Sequence, residues 1–208
     1  ITEIKTEYKV NALGVDGSPL IKWKYEGDDQ ISYRLKVMLS KVYGKGDVCV
    51  FDSGEVKSVD NFCRADGSKF ERGKRYDVIV SLNGESATEG GKSYFQTAII
   101  REDFKGDWVN LPVNSQGGSS LYRIRGKLDK KPVLATAYVA GIGYNELYIN
   151  GKKVGDELLS PATSDYAKRI YYNTYDVTDI LKEGDNVFGV EVAHGWLGAK
   201  RMLLQVNV

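Results

Sequence analysis

Apolar and polar residues alternate with a period of two along most of this chain, the spacing of half-buried strands rather than of helices. The first such stretch covers residues 1–10, where Ile4, Thr6, Tyr8 and Val10 share one side. A second, at 20–26, groups Ile21, Trp23 and Tyr25, and a third, at 31–40, sends Tyr33, Leu35, Val37 and Leu39 to one face. Shorter stretches at 48–51 and 59–64, a long one at 70–82 and a last at 93–100 extend the series. Gly-, Pro-, Asp- and Ser-containing clusters at 14–19, 52–54 and 65–68 supply the turns between them.

Seven short strands roughly 8–14 residues apart have the rhythm of an immunoglobulin-like sandwich. Trp23 sits on the second strand, and Phe70-x-x-Gly73-x-x-Tyr76 reads as the turn into the sixth. Both features point to the fibronectin III-like variety, with Tyr76 as the tyrosine corner. Core packing and one buried hydroxyl bond account for the two residues; neither calls for chemistry.

The polar run 103–107 (DFKGD) divides the chain into 1–102 and 103–208. Beyond it, residues 121–128 have a strand's period, and 133–140 are so uniformly apolar that a central strand covered on both faces is predicted. Asn150-Gly151 marks a two-residue type I′ hairpin between 147–149 and 152–155, approached through Gly141, Gly143 and Tyr144. A loop at 160–167 and a strand at 169–175 follow. Thr178 or Asp176 then caps a single helical turn through Leu181, closed by Gly184. Strands at 187–193 and 202–208 end the series. About seven strands, where a jelly roll has eight or so, predict a second sandwich of jelly-roll type; the family resemblance given below, in which further strands follow the segment matching 203–208, implies that it is incomplete at its C-terminus. Its edge near Leu203 is then expected to pair with a neighbouring chain.

Composition narrows the function classes. The 208 residues carry a net charge of +1 with acids and bases interspersed, so no stripe for nucleic acid and no patch for an anionic membrane is predicted. The longest apolar run, 132–143, is about half the length of a spanning helix, so no membrane insertion is expected. The chain opens on Ile1 without a charged-then-apolar leader, as a processed product or an excised segment would. Cys49 and Cys63 stand outside any C-x-x-C pair, and with a single His they do not make a zinc set. They would either form a disulfide in an exported chain or remain two buried thiols on separate strands.

Residues 140–156 carry a resemblance. Gly141, Gly143, Tyr144, Glu146, Asn150, Gly151, Val154, Gly155, Asp156 and Pro161, then SDYAKRIYYNTYDVTDILKEGDN at 164–186 and HGW at 194–196, are similar to the N-terminal β-sandwich domain of bacterial α-L-rhamnosidases. The match is close over the second half and looser over the first. It implies a galactose-binding-like jelly roll and the non-catalytic N-terminal portion of a glycoside hydrolase that removes terminal α-L-rhamnose with inversion. The catalytic acids of that family lie on a downstream (α/α)6 barrel, so no catalytic residue is carried over and the chain alone is expected to be inert. The implied partner is that barrel, and the implied location is secreted, periplasmic or on the bacterial cell surface.

A carbohydrate-binding module in its own right and a structural adhesion spacer are the alternatives. For sugar binding the candidates are Tyr144, Asn145 and Glu146 at one end of the hairpin and His194 and Trp196 after a later strand, an aromatic face with polar groups that reach hydroxyls. Packing at the sandwich edge or against the barrel is the plainer account of Tyr144 and Trp196 and the one the residue types favour. Some related domains hold rhamnose through calcium. The family's G-N-G-W is Ala193-His194-Gly195-Trp196 here, an imidazole replacing an oxygen donor, so no calcium and no other metal or cofactor is expected. Tyr171, Tyr172 and Tyr175 suit a half-solvated strand, and Lys152-Lys153 a solvated hairpin tip.

Overall fold

The computed structural model describes residues 1–44, 46–110, 118–195 and 201–208, so Trp196 lies outside the described residues. The chain forms two compact units, Ile1–Ile100 and Arg101–Val208. Both are all-β.

The first unit contains β1 (Glu3–Thr6), β2 (Leu13–Val15), β3 (Leu20–Lys24), β4 (Tyr33–Leu39), β5 (Cys49–Asp52), β6 (Phe62–Arg64), β7 (Arg75–Leu82) and β8 (Lys92–Thr97). One sheet has the order β1-β3-β6 and the other β2-β8-β7-β4-β5. Among the described residues only β2 and β8 pair in parallel. Alternation turns Ile4, Ile21 and Trp23 of the first sheet onto Leu35, Val37, Val78, Val80 and Phe95 of the second, and these form the core.

Trp23 is only 2% exposed. Its indole N–H donates to Gln30 Oε1 at 2.9 Å. The Gln30 amide in turn donates to the carbonyls of Ser58 and Asp60 at 3.0 and 2.7 Å. Tyr76 accepts from the Glu71 backbone N–H at 2.7 Å while its ring packs on Phe70 and Phe95. This is the tyrosine corner predicted from the Phe-x-x-Gly-x-x-Tyr spacing.

The predicted strand at 1–10 is cut short. Thr6 and Lys9 exchange backbone hydrogen bonds around Glu7 and Tyr8, whose φ values of 46° and 67° turn the chain, so Tyr8 and Val10 are exposed instead of sharing the face of Ile4. Cys49 and Cys63 are free thiols on β5 and β6, in opposite sheets; burial pushes the Cys63 thiol up.

The second unit contains β9 (Val109–Asn110), β10 (Ser120–Leu128), β11 (Thr136–Ile142), β12 (Tyr144–Ile149), β13 (Lys152–Val154), β14 (Tyr172–Asp176), β15 (Gly184–Ala193) and β16 (Arg201–Asn207). Two antiparallel sheets, ordered β10-β15-β12-β13 and β14-β11-β16-β9, enclose Leu147, Ile149, Val190 and Val192 from one side and Ala137, Val139 and Met202 from the other. The strand predicted at 133–140 begins only at Thr136, leaving Val133 exposed. From there it is covered on both faces. Tyr138, on the face away from the core, is fully buried against Phe104 and Tyr172, with ring centroids 6.3 and 6.0 Å away. Gln205 on the neighbouring β16 ties the same segment down: its Oε1 accepts from Lys105 N–H at 2.8 Å and its Nε2 donates to the Asp103 carbonyl at 3.2 Å.

The hairpin forms as predicted, Asn150 and Gly151 taking φ values of 52° and 81°. Its tip is anchored. Asn150 Nδ2 donates to Ile180 O and to Asn186 Oδ1, and its Oδ1 accepts from Val187 N–H. Asn186, fully buried, donates to Lys182 O and Gly184 O and accepts from Lys182 N–H. Of the two predicted caps, Asp176 takes the role: its Oδ1 accepts from Thr178 N–H at 3.0 Å. A single turn follows, with Leu181 N–H donating to Val177 O.

β16 pairs with β11 from Arg201 to Asn207, but with β9 only at Arg201 and Met202. From Leu203 onward its other edge has no strand beside it among the described residues. No helix among these residues is long and apolar enough to cross a membrane.

Two tyrosines set an alkaline limit, one in each unit. Burial, aided by Cys63, pushes the Tyr33 hydroxyl up to about 12. Burial, aided by the Glu157 carboxylate, does the same for Tyr175, to about 12. In the unfolded chain both ionise near ~10. Between these values the unfolded state has released protons that the folded state keeps, so this stability is complete below pH ~10 and lost as pH rises to ~12. Urea midpoints should stay level up to about pH 10 and then fall; a midpoint still level near pH ~12 would show both phenols to be open to water.

Candidate functional site

The resemblance centres on the start of β12, where the chain reverses from β11 through Gly143. Its φ is 121°, and a Cβ there would lie 2.3 Å from the Ala193 carbonyl oxygen and 3.1 Å from Gly195 N. Only glycine allows this approach. It brings the beginning of β12 against the end of β15, so that Tyr144 stands opposite Ala193 and His194 follows at the same end of the sheet. Tyr144 is half-buried and His194 exposed.

The period of two then separates the remaining candidates. Glu146 and Tyr148 follow Tyr144 on the outer face, whereas Asn145, Leu147 and Ile149 turn inward. Asn145 is 4% exposed. Its backbone N–H donates to Ser160 O at 2.8 Å, and its side chain packs over Gly141 with no group among the described residues bonding either amide atom. The structure therefore brings Tyr144 and His194 to one end of the sheet, places Glu146 on the same face one step further along, and puts Asn145 in the interior. Trp196 is not among the described residues.

Glu146 is fully engaged. Tyr148 O–H donates to it at 2.7 Å, and Lys153, read from sequence as a solvated tip, reaches back across the hairpin to within 2.5 Å. The Lys153 ammonium and the Tyr148 hydroxyl together hold the Glu146 carboxyl below its usual range. Directly across the ladder stands Glu191, which accepts a hydrogen bond from the Ser119 hydroxyl. Two carboxylates thus face each other on an open sheet surface. A general acid needs a carboxyl pushed up toward the working pH, and Glu146 is pushed the other way. What this face offers is an aromatic ring, fixed charges and hydroxyl-reaching oxygens. The hairpin register could have revealed Lys153, since it places Lys153 opposite Tyr148, two residues from Glu146 on the same face. Among the described residues no three His, Cys, Asp or Glu side chains cluster as metal ligands would.

Comparison with known proteins adds to this picture. Residues 1–101 match the family model of the Rha78A-like N-terminal immunoglobulin domain, and residues 130–206 that of the α-L-rhamnosidase N-terminal domain. An α-L-rhamnosidase of Formosa agariphila is 29% identical over 91% of this chain and 24% of its own length. One from Streptomyces avermitilis is 42% identical over 92 residues, which are 44% of this chain and 9% of the relative. Among solved structures, α-L-rhamnosidase from Dictyoglumus thermophilum superposes with a TM-score of 0.82 at 25% identity, covering 98% of this chain and 27% of that one. The native enzyme from Aspergillus terreus gives 0.77 at 22% identity, over 99% and 27%, and shares the fold. The chain thus spans about a quarter of the length of the relatives that it matches end to end.

Proposed function

Because this chain belongs, unit by unit, to the Rha78A-like N-terminal immunoglobulin domain and α-L-rhamnosidase N-terminal domain families, we propose that it is the non-catalytic N-terminal portion of an α-L-rhamnosidase. Its coverage carries this reading: nearly the whole chain aligns with only 24% of a full-length relative. The remaining polypeptide would hold the hydrolytic machinery, in which one carboxylic acid protonates the leaving oxygen and another activates water on the opposite face of the sugar. The two sandwiches position that catalytic domain, which is their partner. The location that goes with this reading is secreted, periplasmic or on the bacterial cell surface.

The experiment is an assay of residues 1–208 on an aryl α-L-rhamnoside, beside the full-length protein. The accessory reading expects no turnover from the short chain and hydrolysis from the long one. Turnover by the short chain would overturn it. The meeting of Tyr144 and His194 at one sheet end favours a second reading, a sugar-binding module in its own right. Calorimetric titration with L-rhamnose, with and without calcium, separates the two. Binding should give saturable heat that Tyr144→Ala removes; an accessory scaffold gives none.

A further inference from the structure

The outer face of the larger sheet in the first unit carries a cavity. Alternation along β4 turns Leu35 and Val37 inward and Arg34 and Lys36 outward, and the ladder sets Arg34 opposite Ser81 and Lys36 opposite Ile79 of β7. Side chains directly opposite in such a ladder stand about 4.5–5.5 Å apart, so these four make one floor. Two segments border it, 84–87 after β7 and Glu55 after β5, and together they enclose about 380 Å³. Small-molecule sites span roughly 300–1,000 Å³.

Both borders are pinned to the chain at the entry to β4. Asn83, at the turn that leaves β7, accepts from Ile31 N–H and Ser32 N–H at 2.8 and 3.2 Å and donates to Asp29 O at 3.1 Å. Glu85 N–H closes that turn on Leu82 O at 2.9 Å. On the other side the buried Ser32 hydroxyl donates to Glu55 Oε1 at 3.0 Å, while Tyr33 and Val56 exchange backbone bonds at 2.9 and 2.8 Å. Arg34 is fixed as well: its Nε and Nη2 donate to the two oxygens of Asp52 at 2.9 and 2.7 Å. A guanidinium has more N–H groups than this pair uses, so donors are left over. Lys36 is half-buried, and among the described residues it has no hydrogen-bond or ion-pair partner.

Charge in the lining balances, Arg34 and Lys36 against Glu55 and Glu85. A phosphate or a bare cation would meet as many like charges as opposite ones. A hydroxyl both donates and accepts, and here it meets guanidinium and ammonium N–H groups beside carboxylate and serine oxygens. The side chain of Ile79 supplies an apolar surface beneath them. We propose that this cavity binds one residue of a neutral saccharide, its C–H face on Ile79 and its hydroxyls between Arg34, Lys36 and Glu55. The site goes beyond the accessory reading: a glycan gripped by the first unit stays beside whatever part of the protein acts on it.

Amide proton–nitrogen NMR of residues 1–208, titrated with L-rhamnose, D-glucose, D-galactose and D-mannose, tests it. At least one of these sugars should shift the amides of Lys36, Ser81 and Ser86 saturably in the millimolar range. Ser81→Trp fills the cavity and Lys36→Met removes its ammonium. Each should weaken that binding at least ~10-fold, as the loss of a hydrogen bond to a charged group does, with the other amide signals in place. Tyr144→Ala should leave the binding unchanged, which separates it from a sugar site on the second unit. Absence of these shifts with all four sugars would overturn the proposal. So would shifts undiminished in both variants, or an equal response to inorganic phosphate, which marks a charge site instead. Rhamnoside turnover by the short chain would sink the accessory reading and leave this site standing.

Discussion

Trp23→Ala should remove most of the stability of the first unit. The indole is 2% exposed between the two sheets, against Tyr33 at 4.9 Å. Emptying such a site costs about 3–5 kcal/mol in lost transfer energy and cavity. The change also strands Gln30, itself 1% exposed, by taking the N–H that its Oε1 accepts. An orphaned buried acceptor costs a further ~1–3 kcal/mol. The sum rivals the ~5–15 kcal/mol that holds a whole domain together. Urea denaturation followed by near-ultraviolet circular dichroism should show the first unit largely unfolded without denaturant. Trp23→Phe is the control: it keeps most of the apolar volume, loses the hydrogen bond and should fall well short of the alanine variant. If both variants lose the same amount, the bond to Gln30 rather than the ring is what matters.

The second large effect is expected at Gly143→Ala. A methyl group there meets the backbone oxygen of Ala193 at 2.3 Å, with the chain held at a φ of 121°. Backbone strain of this kind costs about 1–3 kcal/mol, and a carbonyl in a paired strand cannot rotate aside as a side chain would. Relief requires β12 and β15 to part at the end that carries Tyr144 and His194. A loss of about 3 kcal/mol or more is expected. Gly151→Ala calibrates it, because that residue also has a positive φ, 81°, but nothing within 4 Å of the added methyl. Its loss should be close to the ~1–2 kcal/mol of left-handed strain alone. Similar losses for the two variants would mean that the Gly143 contact relaxes freely in solution.

Much of the fold could be read from residue order, because its determinants are local. The hairpin depends on two adjacent residues, the tyrosine corner on a seven-residue spacing, and the doubly covered β11 on a run that is apolar but for Thr136. What escaped the pattern depends on distant partners. β2 is three residues long and exists because β8 lies parallel to it. β9 is two residues long and is defined only by Arg201 and Met202. Tyr8 and Val10 continue the alternation of β1 in sequence, but the turn at Glu7 takes them out of the sheet.

The candidate site shows the same division. Tyr144, Asn145 and Glu146 are neighbours in the chain, and pleating sends the middle one to the opposite face from the other two. Which face is solvated depends on where the second sheet packs, and that is not written in any three residues. The engagement of Glu146 needed the register of a strand that reads, in sequence, as two lysines.

The anchored hairpin tip has a bearing on how this protein ages. In a flexible peptide an asparagine followed by glycine is the pair most ready to lose ammonia, because the next backbone nitrogen can swing onto the side-chain carbonyl. Here the Asn150 carboxamide is held from both ends, by Ile180 and Asn186 on one side and Val187 on the other. Its carbonyl is thereby kept from the nitrogen of Gly151. Conversion of Asn150 to aspartate or isoaspartate in a stored sample would therefore record how often this corner of the second unit has come undone.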